Sequence, residues 1–173
     1  MNLVRRKTNV KISVNNSVER LPVPVLGIDY KVKFVYKNVK ITELDVENKT
    51  IKISLPIKYK NISNKEILDL AIDKMYEQIA NVEIERAMDK TRNMLGFSPE
   101  EYEIAKMRTL GICKDKKITI NPEIVKYNRK VIDYVVLHQY CHLKHKTHSK
   151  AFMKMIEKYQ PDYKKCEEIL LNI

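Results

Sequence analysis

His138-Gln139-Tyr140-Cys141-His142-Leu143-Lys144-His145-Lys146-Thr147-His148 contains all four histidines of a 173-residue chain. Working outward, Val131 and Val135 precede His138 by seven and three residues, which places them on the same face of a helix. An apolar stripe thus runs into the histidines, and the helix that carries them should lie against the core. His138 and His142 stand one turn apart on that face, so two imidazoles can reach one metal ion. If the helix ends just after His142, a residue six positions further on can fold back to complete the set. His148 is favoured as the third ligand, because a group beyond the helix end approaches from a new direction. His145, three residues after His142, is the alternative.

In the H-E-x-x-H signature of zinc hydrolases the residue after the first histidine is a glutamate, the general base toward the attacking water. Here that position holds Gln139. An amide has nearly the shape of a carboxylate but takes no proton at neutral pH, so the segment reads as a Zn2+ site with its base removed. An H-x-x-x-H pair also recurs by chance on solvated helices. The second half of the cluster, the apolar stripe and the lack of histidine elsewhere argue for metal. Catalysis is the weaker expectation, since losing a positioned general base commonly costs about 10² to 10⁴ in rate. Tyr127, Tyr134 and Tyr140 are candidates for a hydrogen bond to a developing oxyanion, and nothing in the sequence selects among them.

The first third of the chain reads as β. Val10, Ile12 and Val14 alternate with polar residues, as do Tyr30, Val32, Phe34 and Tyr36. Ile41 to Val46 and Ile51 to Leu55 flank Glu47-Asn48-Lys49 as a hairpin that ends at Pro56. A small antiparallel sheet is expected. Ser63-Asn64-Lys65-Glu66 fits a capping box, and the apolar spacing after it predicts a long helix from near Asn64, either continuous to Leu95, where Gly96 and Pro99 supply stop signals, or interrupted on the way. Tyr102 to Met107 and Lys117 to Ile120 read as two short strands joined by a turn around Gly111 to Lys116. Asn121-Pro122 starts a region, running to about Lys144, that is one kinked helix or two. After a break near Lys146-Thr147, Phe152, Met155, Ile156 and Tyr159 fit another helix, and Pro161 starts a last one. The class is α+β, with a β-rich N-terminal region at 1–60 and a helical half at 61–173, together one compact unit.

Composition fits a folded protein, with 44% hydrophobic and 32% charged residues. No apolar run is long enough to span a bilayer, and the basic start lacks the apolar core of a secretory signal, so a cytoplasmic protein with no membrane association is expected. Three cysteines, Cys113, Cys141 and Cys166, with no C-x-x-C spacing suggest neither disulfides nor a zinc ribbon. Cys141, between the histidines, reads as a packed small side chain. The net charge of +11 is spread along the chain; it is read first as a solvated lysine-rich surface, with a nucleic-acid partner as the alternative.

The segment Val131 to Ser149 resembles the signature of the YgjP-like metallopeptidase family, which is similar to the WLM and SprT-like (Spartan-type) proteases. That motif runs H-E-x-x-H, five residues, then H-S and an aromatic. The resemblance implies a zincin-like metallopeptidase domain over 61–173, a polypeptide substrate, and ligands at His138, His142 and His148. It maps the base position onto Gln139 and the aromatic onto Phe152. The family's Trp-Gly-Ser-Cys turn is matched by Leu110-Gly111-Ile112-Cys113 only at Gly111 and Cys113. One near-isosteric exchange in an otherwise intact motif fits a natural pseudoenzyme or a deliberate substitution, inactive in either case. Two rivals are carried: a non-catalytic zinc-binding module associated with nucleic acid, and a nucleotide phosphoanhydride hydrolase.

Overall fold

The computed structural model describes residues 22–61 and 64–171. The strand expected at Val10–Val14 and the Ser63 cap lie outside the described residues. The chain divides into two compact units, Met1–Met75 and Tyr76–Ile173.

The first unit holds a four-stranded sheet of β1 (Val23–Val25), β2 (Ile28–Lys37), β3 (Glu43–Glu47) and β4 (Thr50–Pro56), in the order β1-β2-β4-β3. Alternation in β2 buries Val32, Phe34 and Tyr36 and leaves Lys31 and Lys33 exposed. These three residues stand in register with Ile51, Ile53 and Leu55 of β4, each at most 2% exposed, and together they form one apolar face. The β3–β4 hairpin turns through Asn48 and Lys49, both with positive φ, as tight hairpin turns require. The sheet is mixed rather than wholly antiparallel, because β2 and β4 run parallel. Alternation tells which face of a strand is buried but not which strand lies beside it, so β4 could enter between β2 and β3 without a sequence signal. A 3₁₀ turn, Ile57–Asn61, follows β4.

Helix α1 runs uninterrupted from Asn64 to Leu95, and the division between the units falls within it. In the second unit its inner face carries Tyr76, Ala80, Ile84, Ala87, Met88 and Thr91, all buried at helical spacing. Gly96 ends the helix with φ 74° while its N–H bonds to the Arg92 carbonyl at 2.8 Å, a closure that favours glycine.

The second sheet contains β5 (Glu101–Ile104), β6 (Gly111–Lys114) and β7 (Lys117–Ile120), in the order β5-β7-β6. The two-strand expectation for this region missed β6. The hairpin joins β6 to β7 through Asp115 and Lys116, both at positive φ, and β5 pairs parallel to β7. A four-residue strand opening on glycine and closing on lysine has too little alternation to be distinguished from a turn. Register places Gly111 and Cys113 on the face of the fully buried Ile118 and Ile120. The opposite face is polar, with Lys117 bridging Glu101 at 3.1 Å and Glu103 at 2.9 Å.

Asn121 caps a 3₁₀ turn, Pro122–Lys126, and after a break at Tyr127 the side chain of Asn128 caps helix α2, Arg129–Lys144, by accepting the Val131 N–H. Helices α3 (Lys150–Tyr159) and α4 (Tyr163–Leu171) follow. Helix α2 is the centre of this unit and packs against β6, α3 and α4. Val131, Ile132, Val135, Val136, Leu137, Tyr140 and Cys141 are all buried along it. Its N-terminal half is tied to α1 by ion pairs. Arg129 grips the buried Glu83 at 2.6 Å, while Arg86 and Lys90 reach Asp133 at 2.7 and 2.6 Å. The architecture is α+β, with a mixed N-terminal sheet and a helical C-terminal half. Among the described residues no helix is long and apolar enough to cross a membrane.

Candidate metal centre

The apolar face that buries Val131 and Val135 continues to His138 and His142, which therefore emerge together where α2 leaves the core. His148 returns to them from the short link between α2 and α3. That link is fixed at both ends. The N–H of His145 closes α2 on the Cys141 carbonyl at 2.9 Å, and Ser149 opens α3 by accepting the Phe152 N–H. Nε2 of His138 lies 3.2 Å from Nε2 of His142 and 3.0 Å from Nε2 of His148. One ligand atom from each of the three rings lies within 4.8 Å of the other two. A tetrahedral ion with metal–nitrogen bonds of roughly 2.0–2.1 Å needs its nitrogens roughly 3.3 Å apart, so the three imidazoles fit such an ion.

Phe152 is the floor of the site. Its ring, 1% exposed, has its centroid 5.0, 4.8 and 4.7 Å from those of His138, His142 and His148. The three imidazoles are thus packed around one phenyl ring before any ion is considered.

Two of the rings, His138 and His142, are held in the neutral state that metal binding needs. Burial first, and the neighbouring His142 and His148 rings second, lower the pKa of His138 to about 4. The pKa of His142 is lowered as well, mainly by burial. At neutral pH both rings are uncharged, with a lone pair to offer. Nδ1 of His142 lies 3.1 Å from the backbone carbonyl of His145, to which it can only donate, so its Nε2 faces the cluster as the acceptor. His145 therefore serves through its backbone, and its ring is not in the cluster. Behind His138, the Tyr134 hydroxyl lies 3.4 Å from Nδ1 and donates to Glu167 Oε1 at 2.8 Å. The Tyr134 pKa is raised, chiefly by burial and then by that carboxylate.

Gln139, 6% exposed, points toward β6, where Gly111 faces it without a side chain. Two of the three tyrosines weighed as oxyanion donors are accounted for differently. Tyr140 donates to the Met88 carbonyl at 3.3 Å in the interior, and Tyr134 is committed to Glu167. Cys141 is fully buried and its thiol pKa is pushed up to about 12 by desolvation. Cys113, half-buried on β6, has its thiol pKa raised by burial and is not part of the cluster. Sequence reasoning missed Glu167 altogether. It stands 33 positions from Tyr134 and only the packing of α4 on α2 brings it there.

An α+β fold whose central helix presents three clustered imidazoles offers a ligand set of the kind that holds a metal ion. The model of the YgjP-like, metallopeptidase domain family matches residues 3–172, and the chain belongs to that family. No match was found among curated proteins. Among solved structures, the chain is similar to the metallopeptidase zymogen of Pyrococcus abyssi abylysin, at 22% identity and TM-score 0.47, over 51% of this chain and 92% of that one. It is likewise similar to the metallopeptidase zymogen of Methanocaldococcus jannaschii jannalysin, at 18% identity and TM-score 0.47, over 51% of this chain and 94% of that one.

Proposed function

We propose that this metallopeptidase-family chain binds Zn2+ through His138, His142 and His148, engages polypeptide, and is impaired in turnover because Gln139 occupies the general-base position. The observation that carries the reading is the convergence of three Nε2 atoms at 3.0 and 3.2 Å beside a buried Gln139. An all-nitrogen set of three ligands suits zinc and leaves a fourth position open. When bound, the ion would supply Lewis acidity toward a peptide carbonyl and lower the pKa of water.

The chain's own residues then decide how far hydrolysis can proceed. Gln139 follows His138 directly and can orient water by hydrogen bonding, but its amide has no basic site at neutral pH. A glutamate there would take the proton, and its loss accounts for a deficit of about 10² to 10⁴ in rate. Glu167 does not stand in for it, since it approaches His138 through Tyr134, on the Nδ1 side. Strand β6 pairs with β7 on one side and with no described strand on the other. An extended polypeptide could add to that edge through its main chain, next to Gln139. A cytoplasmic location belongs to the same reading.

The test is cleavage of an unstructured protein by the zinc-loaded Gln139→Glu variant beside the unaltered chain, with metal content measured in both. Cleavage by the variant alone, with about one zinc in each, is the expected result. If both hold zinc and neither cuts, the non-catalytic zinc module is the better description. Pyrophosphate release from nucleotides on addition of Mg²⁺ would instead identify a phosphoanhydride hydrolase.

A further inference from the structure

We propose that Tyr134 and Glu167 are positioning residues that set which nitrogen of His138 is open to a metal. The inference rests on reading His138, His142 and His148 as a metal site, and it concerns residues outside that cluster.

Tyr134 precedes His138 by one helical turn and is 5% exposed, with its ring edge-on to the imidazole at 5.8 Å. Tyr163, from the same helix as Glu167, stacks on the Tyr134 ring at 6.4 Å and 21°. The phenol is thereby held on two sides. A phenol has one proton to give, and a carboxylate accepts it. With that proton directed at Glu167 Oε1 at 2.8 Å, the face of the phenol oxygen 3.4 Å from His138 Nδ1 offers only lone pairs. An oxygen that offers only lone pairs favours the hydrogen of the neutral ring on Nδ1, with Nε2 left to accept from Nε2 of His148 at 3.0 Å when no ion is bound. The bare nitrogen is Nε2, the atom 3.2 and 3.0 Å from its counterparts on His142 and His148. Without Glu167 the hydroxyl is free to donate to Nδ1 instead. That reversal puts the hydrogen on Nε2, where it blocks the ion.

The device differs from the one that serves His142. There the acceptor is the His145 carbonyl, three residues away on the same helix end. For His138 the acceptor chain ends on α4, so docking of the last helix is coupled to the electronic state of a ligand on α2. Outer partners of this kind commonly change metal affinity by roughly 10–100-fold.

The experiment has two readouts. In the metal-free protein, long-range ¹H–¹⁵N spectra report which nitrogen of each histidine is protonated. The unaltered chain should show His138 with hydrogen on Nδ1, and Tyr134→Phe and Glu167→Ala should each shift it toward Nε2–H, with His142 unchanged. In zinc competition against a chromophoric chelator, Tyr134→Phe should weaken binding by roughly 10–100-fold. Glu167→Ala should weaken it in the unaltered background but add nothing in the Tyr134→Phe background, because the two act in series. Thermal melts of the metal-free variants identify any that have not folded, and Tyr134→Phe removes only one oxygen. An unchanged His138 tautomer in both variants overturns the proposal, as do zinc losses that add in full. An unaltered chain with hydrogen on Nδ1 but no measurable zinc affinity would overturn the metal reading while leaving the tautomer assignment standing.

Discussion

Gly111 on β6 and Gln139 on α2 meet so closely that another carbon between them would press on the glutamine side chain. A β-carbon at Gly111 would stand 3.1 Å from Gln139 Cγ and 3.2 Å from its Nε2, and 3.1 Å from Cδ1 of Ile120 on the neighbouring strand. The edge strand can lie this close to the histidine helix because a side chain is missing at one position.

Gly111→Ala should make Gln139 and Ile120 yield by a few tenths of an ångström, at a cost of up to about 1 kcal/mol, the low end of overpacking. Urea unfolding measures it. Combining the change with Gln139→Ala should recover part of the loss, because one of the two crowded neighbours is then shortened. An additive double variant would show that the crowding is with Ile120 alone.

Phe152 touches all three imidazoles and is 1% exposed. Phe152→Ala should cost about 3–5 kcal/mol in stability, through lost burial and the cavity left behind. Phe152→Leu should cost less and still loosen the histidines. The check is whether zinc affinity falls in the leucine variant while its metal-free fold remains cooperative.

His148 and His145 separate by variant. Replacing His148 with Ala removes a ring from the cluster and should weaken zinc binding by more than the roughly 10–100-fold typical of outer partners. His145→Ala keeps the carbonyl that anchors His142 and should change affinity little. Zinc at about 100 times its dissociation constant should stabilise the unaltered chain by about 2.7 kcal/mol, reversibly on chelation, and His148→Ala should lose most of that increment.

Glu83 supplies a pH signature. Its carboxyl pKa is lowered, first by hydrogen bonding to Arg129 and further by Arg86, against the opposing effect of burial. A depressed folded-state pKa means that its stabilisation is present above the unfolded carboxyl range and is lost as pH falls through the folded value. Melting temperature should accordingly drop on acidification below about pH 4.3. Glu83→Gln should flatten that limb and cost about 1.5–3 kcal/mol at neutral pH, as expected for hydrogen bonds to a charged group.

The sequence by itself determined the helix start at Asn64 and its stop signal at Gly96, the burial of alternate residues in β2 and β4, and the presence of His138 and His142 on the apolar face of one helix. These are local properties, because apolar periodicity and helix stop signals act within a few residues of themselves. It also left Gln139 visible as an amide where a base is expected. Tertiary structure alone decided that β4 lies parallel to β2, that Gly111–Lys114 is a strand, and that His148 rather than the ring of His145 joins the cluster. It alone brought Glu167 to Tyr134 and Gly111 to Gln139. Those pairings link residues tens of positions apart. They depend on how strands and helices dock, and periodicity within one element carries no information about the neighbour it will meet.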